Sequence, residues 1–285
     1  MLVVICLFAD KAGQLTNQDK AEPPSINLPT RQATDNQMPL TYTTSYIVQT
    51  YDINKRRRMT VAALVKLMQE AAMQNVMQIK LSLWDLEKQH ISWVLLRKNL
   101  RINRLPNIGE RLKVCTYPVG FEKVFTFRDY KVFDEKGELI AYSSSSWLLL
   151  DTRTRRMSRI PQFILDYEKD LPPKSEWLPR PASKIPVLKN AGFEKKFRVN
   201  WHDLDFNGHL NNVYYLQWML ETVPDKLLES GTLKAFDIQY KLEGMWKDSV
   251  ISFSEKTGPA EYLHKLVREG DGKELATGRS EWASL

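Results

Sequence analysis

Apolar residues recur at intervals of three and four in two stretches of the chain, and each stretch predicts an amphipathic helix. The first covers residues 60–79, "TVAALVKLMQEAAMQNVMQI", and the second begins at "NNVYYLQWMLETVP", where Pro224 ends it. Both helices are expected to bury one apolar stripe. The stripes are Val61, Leu64, Val65, Met68, Ala72, Val76 and Ile79 in the first helix, and Val213, Leu216, Leu220 and Val223 in the second.

Alternating apolar and polar residues predict strands after each helix. In the first half these are "ISWVLLRKNLRI", "ERLKVCTYPVG" and a hairpin that turns at "EKG". The second half repeats this order with "LKAFDIQYKLEG", "DSVISFSEKTG" and a second hairpin. An offset of 151 residues pairs Asp52 with Asp203, and an offset of 135 pairs Trp147 with Trp282. The matching order of elements indicates an internal duplication.

A long helix followed by an antiparallel meander predicts an α+β fold in each half, with a curved antiparallel sheet wrapped around the helix. Two such units can pair their sheets edge to edge and so remove exposed edges. We divide the chain into a disordered or mis-annotated tail (1–40), a first domain (41–160), a proline-containing linker (161–190) and a second domain (191–285). Met38 is the expected natural start; a weak export segment in "MLVVICLFA" is the alternative.

The composition narrows the class of protein. The 285 residues are 43% hydrophobic, which is enough for a substantial core, and no apolar run is long enough to span a bilayer. Only two cysteines are present, so a disulfide framework is not predicted and a cytoplasmic location is expected. The net charge of +7 favours an acidic partner. No zinc-finger, recognition-helix or RNA-binding motif supports nucleic acid as that partner.

The candidate chemistry lies where the second helix begins. Residues 203–212, "DLDFNGHLNN", contain one of only four histidines in the chain. Asn211 or Asn212 is suited to cap the helix, and Gly208 allows a tight bend. Free N–H groups and the partial positive charge at a helix N-terminus could hold a developing oxyanion.

This stretch resembles the acyl-[acyl carrier protein] thioesterases of plants and bacteria, which are built from two hotdog domains. The similarity is carried by "DLDFNGHLNNVYYLQWMLE" in the second half, and by "LMQEAA", "SWVLLRKNLRINRLPNIGERLKV" and "SSWLLLDTRTRRMSRIP" in the first. It extends from about Tyr42 to the C-terminus. The resemblance implies two tandem hotdog domains and hydrolysis of acyl-[acyl carrier protein] to free fatty acid, with no cofactor and no metal.

The resemblance also implies a catalytic set of Asp205, Asn207, His209 and Glu243. Asn207 and backbone N–H groups would polarise the thioester carbonyl. Glu243 with His209 would activate a water, and Asp205 would orient Asn207 or His209. Which of Glu243 and His209 is the base stays open.

Two features of the sequence affect this prediction. One departs from the family pattern, and the other departs from the internal duplication. Plant members often have a cysteine directly after the glutamate, whereas this chain has Gly244, so we expect direct attack by water. At the offset of 151, Arg56 and Arg58 stand in place of Asn207 and His209. One active site per chain is therefore expected, and the first domain would shape the acyl pocket.

A basic run after the first hairpin is a candidate surface for the acidic carrier protein or its phosphopantetheine phosphate. It consists of Arg153, Arg155, Arg156 and Arg159. Two fused hotdog units already make the usual pair, so a monomer or a homodimer is expected.

The sequence also bears on other classes of protein. No His-Glu-x-x-His or Gly-x-Ser-x-Gly motif occurs, so a metal site at His202, Asp203, Asp205 and His209 and a serine hydrolase are not predicted. His90 and His264 belong to no motif and are predicted to lie on the surface. An acyl-CoA thioesterase and a non-catalytic acyl-binding protein remain as alternatives.

Overall fold

The structure, a computed structural model, describes residues 40–283. The predicted tail lies outside the described residues except for Leu40, which is buried and whose carbonyl accepts a hydrogen bond from Asn75 Nδ2 at 3.2 Å. The helices are α1 (Val61–Gln78), α2 (Leu83–Glu87), α3 (Gln162–Leu165), α4 (Asn212–Leu220) and α5 (Asp225–Ser230). Within the described range, no helix is long and apolar enough to cross a bilayer.

All the strands found in residues 40–283 belong to one antiparallel sheet. They are β1 (Tyr42–Ile47), β2 (Ile91–Ile102), β3 (Arg111–Glu122), β4 (Phe125–Phe133), β5 (Leu139–Asp151), β6 (Arg156–Ser158), β7 (Phe193–Arg198), β8 (Leu233–Tyr240), β9 (Ser249–Gly258), β10 (Glu261–Arg268) and β11 (Glu274–Trp282). The order across the sheet is β1-β3-β4-β5-β2-β8-β11-β10-β9-β7, and β6 pairs with β5.

This order confirms the predicted duplication and the edge-to-edge joining of the two sheets. Strands β1 to β5 have the same arrangement in the first half as β7 to β11 have in the second. The halves meet where β2 pairs with β8, with Arg97 to Arg101 opposite Gln239 to Ala235. Arg101 and Asp237 form an ion pair of 2.7 Å across this seam. The fold is therefore two tandem hotdog domains sharing one sheet.

The two long helices pack on one face of this sheet and contact each other. Thr60 caps α1 through its side chain, which accepts from the Ala63 N–H, and Asn211 caps α4 by accepting from the Val213 N–H. Leu64 and Met68 of α1 are fully buried, as the periodicity predicts. The core that the helices share with the sheet places the N-terminus of α4 beside the loop that follows β8.

The predicted linker, residues 161–190, starts beside the end of α1, where the Tyr167 hydroxyl donates to Ile79 O, and then reaches the opposite face of the first half of the sheet at residues 178–180. The Asn99 side chain donates to Pro179 O at 2.9 Å, and Leu178 N donates to the Asp129 carboxylate at 2.7 Å. Arg180 donates to Val119 O at 3.1 Å. Hydrogen bonds to β2, β3 and β4 therefore fix this proline-containing segment against the sheet.

Two sequence-based details are wrong. The prediction that His264 lies on the surface fails, because it occupies an inward position of β10, where Nε2 lies 2.8 Å from Ser280 Oγ. Burial there lowers the pKa of His264 to about 3. The second helix is also shorter than predicted. It ends at Leu220, and Thr222 turns inward so that its hydroxyl donates to Met219 O.

Candidate active site

The candidate site begins with the loop between β7 and α4, which is folded around one carboxylate. Asp205 Oδ1 accepts hydrogen bonds from the N–H groups of Asn207 at 2.8 Å and His209 at 3.2 Å. Asp205 N donates in turn to His209 O at 2.7 Å. Gly208 closes this turn with φ of +75°, a backbone conformation that suits glycine. Asp205 therefore positions the backbone of both residues that the motif singles out.

Glu243 reaches the same place from the loop after β8. His209 and Met245 form an isolated antiparallel bridge, and Leu210 N donates to Gly244 O at 2.8 Å. This pairing brings Glu243 Oε1 within 3.5 Å of His209 Nδ1, somewhat longer than a direct hydrogen bond. Catalytic contacts of this kind are often loose before substrate binds.

The first half contributes a cation to Glu243. Arg155 lies in the turn between β5 and β6, is half-buried, and places its guanidinium 3.7 Å from Glu243 Oε2. That carboxylate oxygen is buried and accepts no hydrogen bond from the residues of the described chain. Glu243 thus stands between His209, which lies nearest Oε1, and Arg155, which lies nearest Oε2.

The other three arginines of the basic run do not approach Glu243 in the same way. Arg153, Arg156 and Arg159 are exposed on the turn, on β6 and just beyond it. They form a basic rim next to Arg155. Asn207 is exposed at the tip of the loop, where its amide is open to solvent.

Tyr215 holds the Glu243 segment in place and was not singled out by the sequence. Its buried hydroxyl accepts from Gly244 N at 2.7 Å and donates to Leu242 O at 3.0 Å, so it fixes the chain on both sides of Glu243. Burial raises the pKa of Tyr215, which keeps the hydroxyl protonated and able to donate. The apolar spacing of α4 gives this residue the appearance of a core position, which hides its polar role.

Tyr215→Phe is expected to destabilise the chain by about 1–3 kcal/mol, because the buried Gly244 N–H loses its acceptor. Turnover should fall as well, since Glu243 is then less well held. Chemical denaturation and steady-state kinetics measure the two effects. Tyr262→Phe in β10 is the control, and equal behaviour of both variants would contradict this role for Tyr215.

The backbone of the loop is less free than expected for an oxyanion site. The N–H groups of residues 207–211 all donate within the protein: to Asp205, to Gly244 O and to Asp203 O. The N–H groups of Val213 and Tyr214 donate to Asn211. Among residues 207–214 this leaves only the Asn212 N–H without an acceptor in the described part of the chain, which is fewer free N–H groups than expected at the helix start. The Asn207 side chain is therefore the main candidate donor.

Gly244 has little room for a side chain. A Cβ atom built there would lie 3.0 Å from Leu210 Cβ and 3.6 Å from the Tyr215 hydroxyl. Cys115, the one cysteine within residues 40–283, lies in β3 of the first half. No cluster of three or more histidine, cysteine or acidic side chains that could hold a metal ion occurs in that same part of the chain.

The first half contains a loop with the same backbone hydrogen bonds as residues 205–209, but without the side chains of the candidate site. Asn54 Oδ1 accepts from Arg56 N at 2.9 Å and from Arg58 N at 3.4 Å, as Asp205 does from Asn207 and His209. Arg57, with φ of +61°, takes the place of Gly208. The backbone of this loop is thus duplicated closely, whereas arginine side chains replace the amide and the imidazole.

Comparison with known proteins gives a consistent result. The family model described as the acyl-ACP thioesterase N-terminal domain matches residues 39–167, and that of the C-terminal domain matches residues 188–284. A palmitoyl-acyl carrier protein thioesterase of Cuphea hookeriana is 28% identical over 260 residues, which covers 85% of this chain and 62% of that protein. The chain therefore spans about three-fifths of the length of this relative.

Solved structures share the fold. A 12:0-ACP thioesterase from Umbellularia californica superposes with a TM-score of 0.77 at 23% identity, covering 88% of this chain and 99% of that one. An acyl-ACP thioesterase from Bacteroides thetaiotaomicron gives a TM-score of 0.75 at 20% identity, covering 85% and 98%. At these identities the likeness concerns the arrangement of helices and strands.

Proposed function

Because the chain belongs to the acyl-ACP thioesterase family, we propose that it hydrolyses the thioester of an acyl-[acyl carrier protein] and releases a free fatty acid. The observation that carries this proposal is the meeting of Glu243, His209 and Arg155 beside the start of α4. The name of the Cuphea relative supports the carrier protein as the thiol that carries the acyl group.

In the proposed mechanism, a water molecule is held by Glu243 and His209 and attacks the thioester carbonyl carbon. Glu243 is proposed as the base through Oε1, which faces His209 Nδ1 at 3.5 Å and so lies where a water shared by the two side chains would be held. The Asn207 amide donates to the carbonyl oxygen as negative charge develops there. The C–S bond then breaks, and the phosphopantetheine thiolate leaves and takes up a proton.

Arg155 and Asp205 act through other residues in this proposal. Arg155 places positive charge on the far side of Glu243 from His209, which holds the carboxylate in the site. Asp205 maintains the turn that carries Asn207 and His209. Neither needs to contact the substrate to matter for turnover.

The exposed arginines support an acidic carrier as the partner. Arg153, Arg156 and Arg159 lie exposed next to Arg155, which contacts Glu243, and the whole chain carries a net charge of +7. A basic rim of this kind attracts an acidic protein and its phosphate group. A cytoplasmic location and a monomeric or homodimeric state complete the proposal.

The test is release of free acid from a panel of acyl-[acyl carrier protein] and matching acyl-CoA thioesters by the full chain. We expect preferential hydrolysis of the carrier-protein esters, and its loss in His209→Ala. His202→Ala is the matched control, because His202 is an exposed histidine in the turn just before the loop. Hydrolysis of CoA esters alone would favour an acyl-CoA thioesterase, and no hydrolysis of either would favour an acyl-binding protein.

A further inference from the structure

A large cavity lies beside the loop of the first half, not beside the candidate active site. It has a volume of about 1150 Å³ and is formed by most of α1, the C-terminal end of α4, the start of β8, β1 and the connection between β2 and β3. This exceeds the volume of most small-molecule pockets. None of Asp205, Asn207, His209 and Glu243 lines it. We call it the first-half groove.

The groove combines an apolar wall with cations at one end. Leucines of both long helices and of α5 contribute the apolar part: Leu67, Leu216, Leu220 and Leu228. Arg56 and Arg58, which stand in place of Asn207 and His209, line the end at the loop. The groove therefore offers one surface for a hydrocarbon chain and another for a negative charge.

The charged side chains of the groove differ in whether they already have a hydrogen-bond or ion-pair partner. Of the three acidic residues that line it, Asp52 accepts from the Tyr46 hydroxyl at 2.7 Å, Glu70 accepts from the Gln74 side chain at 2.6 Å, and Glu221 forms an ion pair of 2.8 Å with Lys195. Arg56 donates to Gly231 O at 2.9 Å. The Arg58 side chain is exposed and forms no ion pair with any residue between 40 and 283. Of the two arginines at the loop end, Arg58 is thus the one whose guanidinium is open to an anion.

We propose that the first-half groove binds a long-chain carboxylate without hydrolysing anything, with the carboxylate at Arg58 and Arg56 and the chain along the leucines. The duplicated loop explains how such a site could arise. Its backbone still presents two side chains at the start of a helix, but they are guanidinium groups that hold an anion instead of an amide and an imidazole. Binding here does not depend on the proposed hydrolysis.

The test is calorimetric titration of the full chain with dodecanoate below its micelle concentration. We expect saturable binding that Arg58→Glu weakens at least about tenfold, since it reverses the charge that meets the carboxylate. Arg58 is exposed, so this change should leave folding intact, and Arg58→Ala gives a milder version of it. Dodecanol, which lacks the charge, should bind much more weakly.

Two control variants separate the groove from its surroundings. Arg57→Asn removes a charge from the same loop at a residue that does not line the groove, and asparagine tolerates its positive φ. It should bind dodecanoate normally, and so should His209→Ala. Normal binding by Arg58→Glu, equal binding of dodecanol, or loss of binding in His209→Ala would each overturn the proposal. No thioester is used, so failure here is distinct from failure in the hydrolysis assay.

Discussion

Glu243→Gln is expected to lower the turnover of acyl thioesters by about 10²- to 10⁴-fold, the usual contribution of a general base. The amide keeps the shape of the side chain but cannot take a proton from water. It also removes the charge that lies between His209 Nδ1 at 3.5 Å and the Arg155 guanidinium at 3.7 Å. The loss should appear in kcat, because the proposed role concerns the reacting water and not the grip on the acyl chain.

The measurement is steady-state kinetics with acyl-[acyl carrier protein] over a range of pH. The variant should also lose the acidic limb of the rate profile if Glu243 is the base. Glu269→Gln is the matched control, since Glu269 is an exposed glutamate in an ion pair with Lys196. A variant that retains near-normal kcat would remove Glu243 from the chemistry and leave His209 as the candidate base.

The local part of the candidate site could be predicted from the sequence, because it lies within one loop. Asp205, Asn207 and His209 are separated by single residues, and the bend at Gly208 is visible as a glycine. Glu243 was named only through the family resemblance. The structure places it opposite His209 by a backbone bridge between residues 209 and 245, which no side-chain pattern in the sequence indicates.

Arg155 shows why the remaining part of the candidate site could not be predicted from the sequence. It belongs to a run of four arginines that look alike in the sequence, and only the way the two halves meet brings one of them to Glu243. The role of Tyr215 could not be predicted for a different reason. Its partners are the backbone atoms of residues 242 and 244, and a periodic reading of α4 assigns it to the apolar stripe.

The fold could be predicted more completely than the site, because the periodicity of apolar residues and the repeated order of elements determine it. The failures concern polar residues that face inward. His264 was placed on the surface, and Asn75 was not recognised as the buried partner of Arg128, whose guanidinium lies 2.7 Å from its Oδ1. A polar side chain usually indicates an exposed position. Only the packing of α1 against the sheet shows that Asn75 meets Arg128 in the interior, and only the pairing of β10 with β11 brings His264 to Ser280.

Lys98 is the largest departure of this kind and leads to the second strong prediction. It lies on β2 opposite Ser145 of β5, which in turn lies opposite Arg128 of β4. Its ammonium group is 4.7 Å from the centre of the Tyr130 ring. Burial lowers the pKa of Lys98 to about 7. A charged amine in this position opposes folding, because water solvates it in the unfolded chain.

Lys98→Met is therefore expected to raise the free energy of unfolding at pH 7 by up to about 4 kcal/mol. In the wild-type protein the unfolded chain binds the additional proton between pH 7 and about 10.4, so stability should rise with pH across that window. Below pH 7 both states are protonated and the cost stays constant. The variant should lack this rise. Tyr130 does not interfere, since burial raises its pKa.

Denaturant titrations at pH 6.5, 8 and 9.5, compared at constant m-value, measure this difference. Lys113→Met is the matched control, because Lys113 is an exposed lysine on β3 and should show little change. Equal stability of Lys98→Met and wild type at pH 6.5 would mean that the cation–π contact with Tyr130 already offsets the cost of burial. The row of Lys98, Ser145 and Arg128 would then stabilise the first half instead of straining it.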